Sequence, residues 1–137
     1  MEGLEIVATR SAAVRMTKED ADELARSVAA MDRALQAGRH AEGAETNARF
    51  HPSISRLSDL PMLQEMTERA FARWDRVRRY YLDGVFVHRM EQAQAEHREM
   101  LAAMRARSLE RLEQLVKQHN QGALVAYTAH LLETRPD

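Results

Sequence analysis

Only 5 Gly and 3 Pro interrupt 137 residues, and between them apolar side chains recur every three to four positions. That pattern leaves the chain little to fold into except a succession of helices. Ala, Leu, Glu, Arg and Met dominate, and these residues lose least on entering a helix. At this length one hydrophobic core can form and two ordinary domains cannot. The fold class is therefore all-α, an antiparallel bundle of six or seven helices over residues 1–137, a single domain.

The charge balance excludes some roles. With 20 basic and 21 acidic residues the net charge is −1, so no bulk field draws nucleic acid to this chain. The absence of Cys removes disulfides and thiolate metal sites and fits a reducing cytoplasm. The start Met1-Glu2-Gly3-Leu4-Glu5 has no signal-peptide character. No apolar run approaches the ~18 residues of a spanning helix. A soluble cytoplasmic protein without membrane contact is expected.

Periodicity and end signals place the elements. A first helix over residues 4–16 presents Leu4, Val7, Ala8, Ser11, Ala12 and Arg15. Thr17-Lys18-Glu19-Asp20 then resembles a capping box opening a second helix, with Leu24, Val28, Met31 and Leu35 inside and Gly38 as its stop. A connection over 39–43 leads to a third helix carrying Asn47, Phe50, His51, Ile54 and Leu57, with Pro52 inside it. Ser58 or Asp59 can cap a fourth helix that runs from about Leu60 to Leu82, takes Pro61 as an early position and presents Leu63, Met66, Ala70, Trp74, Val77 and Tyr81. Asp83-Gly84 reads as a turn. A fifth helix over 85–107 carries Met90, Ala93, His97, Met100, Leu101 and Met104 inside. Ser108 caps a sixth with Leu109, Leu112, Leu115, Val116, His119 and Ala123, which Gly122 breaks or loosens before a polar tail at 133–137.

Three of the 6 His therefore fall on apolar faces of three different helices: His51, His97 and His119. One buried His is usually a core residue satisfied by backbone or water. Three on separate faces can instead converge, and with the amide oxygen of Asn47, one turn before His51, they make a site for a divalent ion such as zinc, nickel or manganese. Such a set keeps positions open for water or a ligand oxygen. His40, His88 and His130 lie near turns or the chain end and read as surface groups, while Met and Trp74 read as core filling. The arginines around the fourth helix read as a solvated face, although Arg73, beside the Met66-Ala70-Val77 stripe, can serve as partner to a ligand carboxylate.

Asn47-x-x-Phe50-His51 with Ile54, Leu57-Ser58-x-x-Pro61-x-Leu63, then Glu96-His97-x-x-Met100-Leu101-x-Ala103, Arg107-Ser108 and His119 resemble the FCD domain, the C-terminal effector domain of FadR-type GntR transcription regulators. The resemblance runs from about Leu4 to Leu132. It implies a helical bundle that dimerises and binds a small organic acid over a metal held by Asn47, His51, His97 and His119. DNA would be reached only through a winged-helix domain, which such regulators carry ahead of this one and which this chain lacks. The chain then corresponds to an excised effector domain or to a stand-alone sensor. It departs from the pattern at Asn47, where Asp is commoner, and at Leu60, where Asn commonly caps the fourth helix. The arginine such domains carry near the start of the first helix would fall at or before Met1.

Two other readings compete with this non-enzymatic one. An open three-His site can serve a metal-dependent enzyme, although the chain offers no motif-linked general base; Glu96 and Glu45 are the nearest candidates for supporting the ligands. Alternatively the bundle is metal-free and its His rings satisfy separate core partners.

Overall fold

A computed structural model of the chain describes residues 1–135. Its helices are α1 (Glu2–Arg15), α2 (Lys18–Gln36), α3 (His40–Leu57), α4 (Pro61–Tyr80), α5 (Val87–Arg105) and α6 (Leu109–Glu133), with a π-helical turn, Leu82–Phe86, joining α4 to α5. Among the described residues there is no strand, and no helix is long and apolar enough to cross a membrane. Pro136 and Asp137, the end of the polar tail, lie outside them.

The helix ends follow from local chemistry. Thr17 and Asp20 form the expected reciprocal box: the Asp20 amide donates to Thr17 Oγ1 at 3.1 Å and the Thr17 amide to Asp20 Oδ2 at 2.8 Å. Gly38, at φ 70°, ends α2 while the Arg39 amide reaches back to the Ala34 carbonyl at 2.8 Å. Arg107 plays the same part after α5, at φ 51°, with the Ser108 amide bonded to the Ala103 carbonyl at 3.0 Å.

Other ends differ from expectation. Ser58 and Asp59 do not cap α4: Ser58 Oγ donates backwards to the Ser55 carbonyl at 2.6 Å, and Asp59 turns into the left-handed region at φ 53°. Leu60 takes the capping position and Pro61 opens the helix as expected. Ser108 does occupy the cap of α6, without a side-chain bond.

Three glycines expected in connections or breaks lie inside helical structure instead. A Cβ on Gly43 would fall 2.9 Å from the Met90 methyl, one on Gly84 2.6 Å from the His130 ring, and one on Gly122 2.7 Å from the Arg89 guanidinium. These glycines make room for a neighbouring helix rather than end their own. Accordingly α3 starts at His40, α6 runs through Gly122, and the turn expected at Asp83-Gly84 is a widened helical turn in which the Phe86 amide reaches the Tyr81 carbonyl at 3.3 Å.

α3 packs against α2, α4 and α1, α5 against α6 and α2, and α1 also against α6. The main core joins Ala12, Leu24, Val28, Met31, Phe50, Ile54, Met100, Met104, Leu112, Leu115 and Val116. The expected inner faces of α2 and α5 and the first half of α6 supply most of it, with buried Met as filling. Two helices are rotated by about one residue from the face their apolar pattern suggests. α1 buries Glu5, Ala8, Thr9, Ala12 and Ala13 and leaves Val7 52% exposed. α4 buries Thr67, Phe71 and Arg78 and leaves Met66 48% exposed. In both, polar side chains with interior partners displace apolar ones.

Replacing Thr17 with Ala removes one half of the box and is expected to cost about 1 kcal/mol, read as a lower urea midpoint at unchanged slope.

Candidate metal centre

α3, α5 and α6 each deliver one imidazole to a common point. His51 and His97 are buried and His119 nearly so. One nitrogen from each can be chosen so that all three lie within 4.8 Å of one another. His51 Nε2 and His97 Nε2 stand 3.2 Å apart. Ring centroids are 5.1 Å apart for His51 and His97, 5.0 Å for His51 and His119, and 4.8 Å for His97 and His119. Phe50 packs on His97 at 4.8 Å and Phe71 on His51 at 5.5 Å, keeping water from two sides.

The opposite nitrogen of every ring has its own partner. His51 Nδ1 bonds Glu5 Oε1 at 2.6 Å, His97 Nδ1 bonds Gln94 Oε1 at 2.9 Å, and His119 Nδ1 bonds Glu96 Oε2 at 2.7 Å. These partners fix the tautomers. Burial alone would raise the Glu5 pKa, but His51, His119 and Asn120 outweigh it and bring it down to about 2, so Glu5 is an ionised acceptor. Glu96 likewise lies below its ordinary value, burial being outweighed by the hydrogen bonds from His119 and Arg89. Gln94 spends its amide hydrogens on the Val28 carbonyl at 3.1 Å and Asp32 Oδ1 at 2.8 Å, so only its oxygen faces His97. His51 and His97 therefore donate from Nδ1 and turn their Nε2 atoms toward each other, while His119 donates from Nδ1 to Glu96.

Burial pushes the pKa of His51 down, against the pull of Glu5, and that of His97 well down. Two neutral rings then face lone pair to lone pair at 3.2 Å with no hydrogen between them. A cation relieves that contact: nitrogens about 2.0–2.1 Å from one ion and 3.2 Å from each other subtend about 100°, a normal ligand angle. The donor set fits a divalent ion. Asn47 is buried one turn before His51 on the same helix. Among the described residues no side-chain hydrogen bond holds its amide.

A cavity of about 350 Å³ opens beside the rings, lined among others by His51, His119, Phe71, Trp74, Arg78 and Asn120. Trp74, expected in the core, is half-buried there. Arg73 is exposed and is not part of this lining. The rotation of α4 brings Arg78 to the cavity instead, buried and bonded through Nη2 to Asp75 Oδ1 at 3.0 Å. Glu45, a candidate supporting group, is exposed and pairs with Arg49 at 2.5 Å; Glu96 is the one that supports a ring. His88 is exposed as expected, whereas His130 is half-buried against Tyr81. Glu5, Gln94, Arg78 and Asn120 were not singled out from the sequence. No local signal marks Glu5, because its reason for turning inward sits on α3 and α6.

Metal-free protein should lose stability as pH falls. His51 and His97 have lowered native pKa values, so their contribution is complete above the unfolded value of 6.5 and declines below it. The slope is up to about 1.4 kcal/mol per pH unit for each ring. Glu5 acts in the same direction once pH drops below 4.5. Urea midpoints measured between neutral and mildly acidic pH test this, and a flat profile contradicts the neutral buried pair.

The chain's likeness to other proteins bears on these residues. The FCD domain family matches residues 1–122. Among solved structures, E. coli McbR/YncC superposes with a TM-score of 0.82 at 22% identity, a likeness of fold, over 93% of this chain and 64% of that one. The chain thus spans under two thirds of that protein's length. No curated protein sequence matches it.

Proposed function

The chain belongs to the FCD family, the effector-binding regulatory domains of GntR-type transcription regulators, and on that premise we propose that it binds a divalent ion and a small carboxylate in one site. His51, His97, His119 and Asn47 are assigned as the ion's ligands. The observation that carries this reading is the arrangement of the three rings: every Nδ1 is held by its own acceptor, the Nε2 atoms of His51 and His97 face each other at 3.2 Å, and one nitrogen from each ring lies within 4.8 Å of the others. Histidines that merely filled a core would gain nothing from facing their lone pairs together.

When bound, the ion supplies a positive centre with open positions for a ligand oxygen. Glu5, Gln94 and Glu96 keep the rings oriented and raise their basicity, and the two carboxylates compensate the added charge. Both are also held by further donors, Glu5 by Asn120 Nδ2 at 2.6 Å and Glu96 by Arg89 Nη2 at 2.7 Å. Both donors to Glu96 share its Oε2, and among the described residues its buried Oε1 has no partner. The cavity beside His51 and His119 gives the acid its approach.

The regulatory step is a coupling between two sites. The acid bridges groups on several helices, the bundle favours one arrangement of a homodimer, and a winged-helix domain attached in the full regulator changes its grip on DNA. Exposed Val7 and Val14 on α1, and Met62 and Met66 on the neighbouring α4, offer apolar surface for that dimer.

Purified protein is expected to hold a single divalent ion per chain, lost in His97→Ala. Elemental analysis without metal, together with an unchanged melting temperature after zinc or nickel is added, would overturn the site. Gln94→Ala should keep the fold yet weaken metal affinity by about 10- to 100-fold, measured by chelator competition. Carboxylates that occupy the site should raise the melting temperature only of metal-loaded protein.

A further inference from the structure

We infer that Arg78, which lines the same cavity, forms a second anchor with Tyr127, which packs behind the lining Trp74, and that this makes the effector a small dicarboxylate rather than a monocarboxylate; the inference rests on the carboxylate-binding reading above. Arg73, Arg76 and Arg79 on the same helix are exposed, whereas Arg78 is 6% exposed and lines the cavity. Among the described residues its only side-chain hydrogen bond goes to Asp75, and its buried Nε has no partner. Asp75 also accepts from Arg79 Nε at 2.7 Å, so one carboxylate serves two guanidinium groups and a positive charge is left over. A guanidinium stays protonated even when burial lowers its pKa.

Tyr127 on α6 is also 6% exposed, and among the described residues its hydroxyl has no partner. Its ring packs edge-on against Trp74 at 4.8 Å, and Trp74 lines the cavity with Arg78. Arg78 and Arg89 both act electrostatically on this hydroxyl. Arg78 Nε–H and Tyr127 O–H are thus two donors lacking an acceptor, and buried donors are seldom left so. The partner they lack is an acceptor, and the surplus charge calls for an anionic one. Of the acids lining the cavity, Glu5 is engaged by His51 and Asn120, and Glu2 lies on the first turn of α1. One carboxylate of the ligand meets the His centre and the second reaches Arg78 and Tyr127 by a small shift of their side chains. About 350 Å³ accommodates a short diacid between them.

The test compares lactate with malate, which differ by the terminal carboxylate, by calorimetric titration of metal-loaded protein. Wild type should bind malate about tenfold or more tighter than lactate. Arg78→Gln should keep the metal and lower malate affinity about tenfold more than lactate affinity, so that the preference for malate disappears. Tyr127→Phe, a milder change that keeps the ring packing, should reduce the preference by about threefold or more. Equal binding of the two acids by wild type, or equal loss of both in Arg78→Gln with Tyr127→Phe unchanged, overturns the inference and leaves the carboxylate reading intact. Failure of both acids, and of other mono- and dicarboxylates, to bind metal-loaded wild type overturns that reading and the inference with it. If Arg78→Gln fails to fold, the malate-to-lactate ratio of Tyr127→Phe decides alone.

Discussion

One buried carboxylate ties the functional part of the molecule together. Glu5 on α1 accepts from His51 on α3 at 2.6 Å and from Asn120 on α6 at 2.6 Å. An ionised group so deeply buried is tolerated only with such partners. Its demand explains why α1 turns Glu5, Thr9 and Ala12 inward and leaves Val7 in solvent. The same bond sets the His51 tautomer, so the packing of α1 and the direction of one lone pair are a single arrangement.

The other two rings follow the same logic with different chemistry. Gln94 passes an orienting bond from Asp32, itself paired with Arg98 at 2.7 Å, to His97 in the interior. Glu96, two residues on, supports His119 across to α6 and is itself held by Arg89. Gly122 leaves the space in which Arg89 lies. A neutral amide supports the most deeply buried ring, and carboxylates support the two that line the cavity. The two carboxylates stand behind the rings, buried on the side away from their inward nitrogens.

Histidines were legible as a group because His51, His97 and His119 sit in phase with apolar residues on helices whose periodicity is strong. Helices α2 and α5 were legible for the same reason. The inner face of α4 was not. Met66 and Val77 suggest one face, but Thr67 finds Ser55 across the α3 interface and Arg78 finds Asp75, so the face carrying them is buried instead. Pattern alone assigns apolar residues to the inside and has no means of foreseeing a polar partner contributed by another helix. Arg78 has its partner Asp75 on its own helix; what the pattern cannot foresee there is the cavity, built with α1, α3 and α6, that Arg78 faces.

The sequence by itself determined an all-helical chain, the capping box at Thr17 and the stop at Gly38, since these depend on neighbours within a few residues, and it carried the spaced motifs from Asn47 to His119 that resemble the family. Tertiary structure alone decided that Gly43, Gly84 and Gly122 serve close helix approach rather than breaks. It likewise decided that Glu5 and Gln94 orient the rings and that Arg78 faces the cavity. Each of those outcomes depends on a group distant in sequence, and a side chain's role is fixed by the partner that satisfies it.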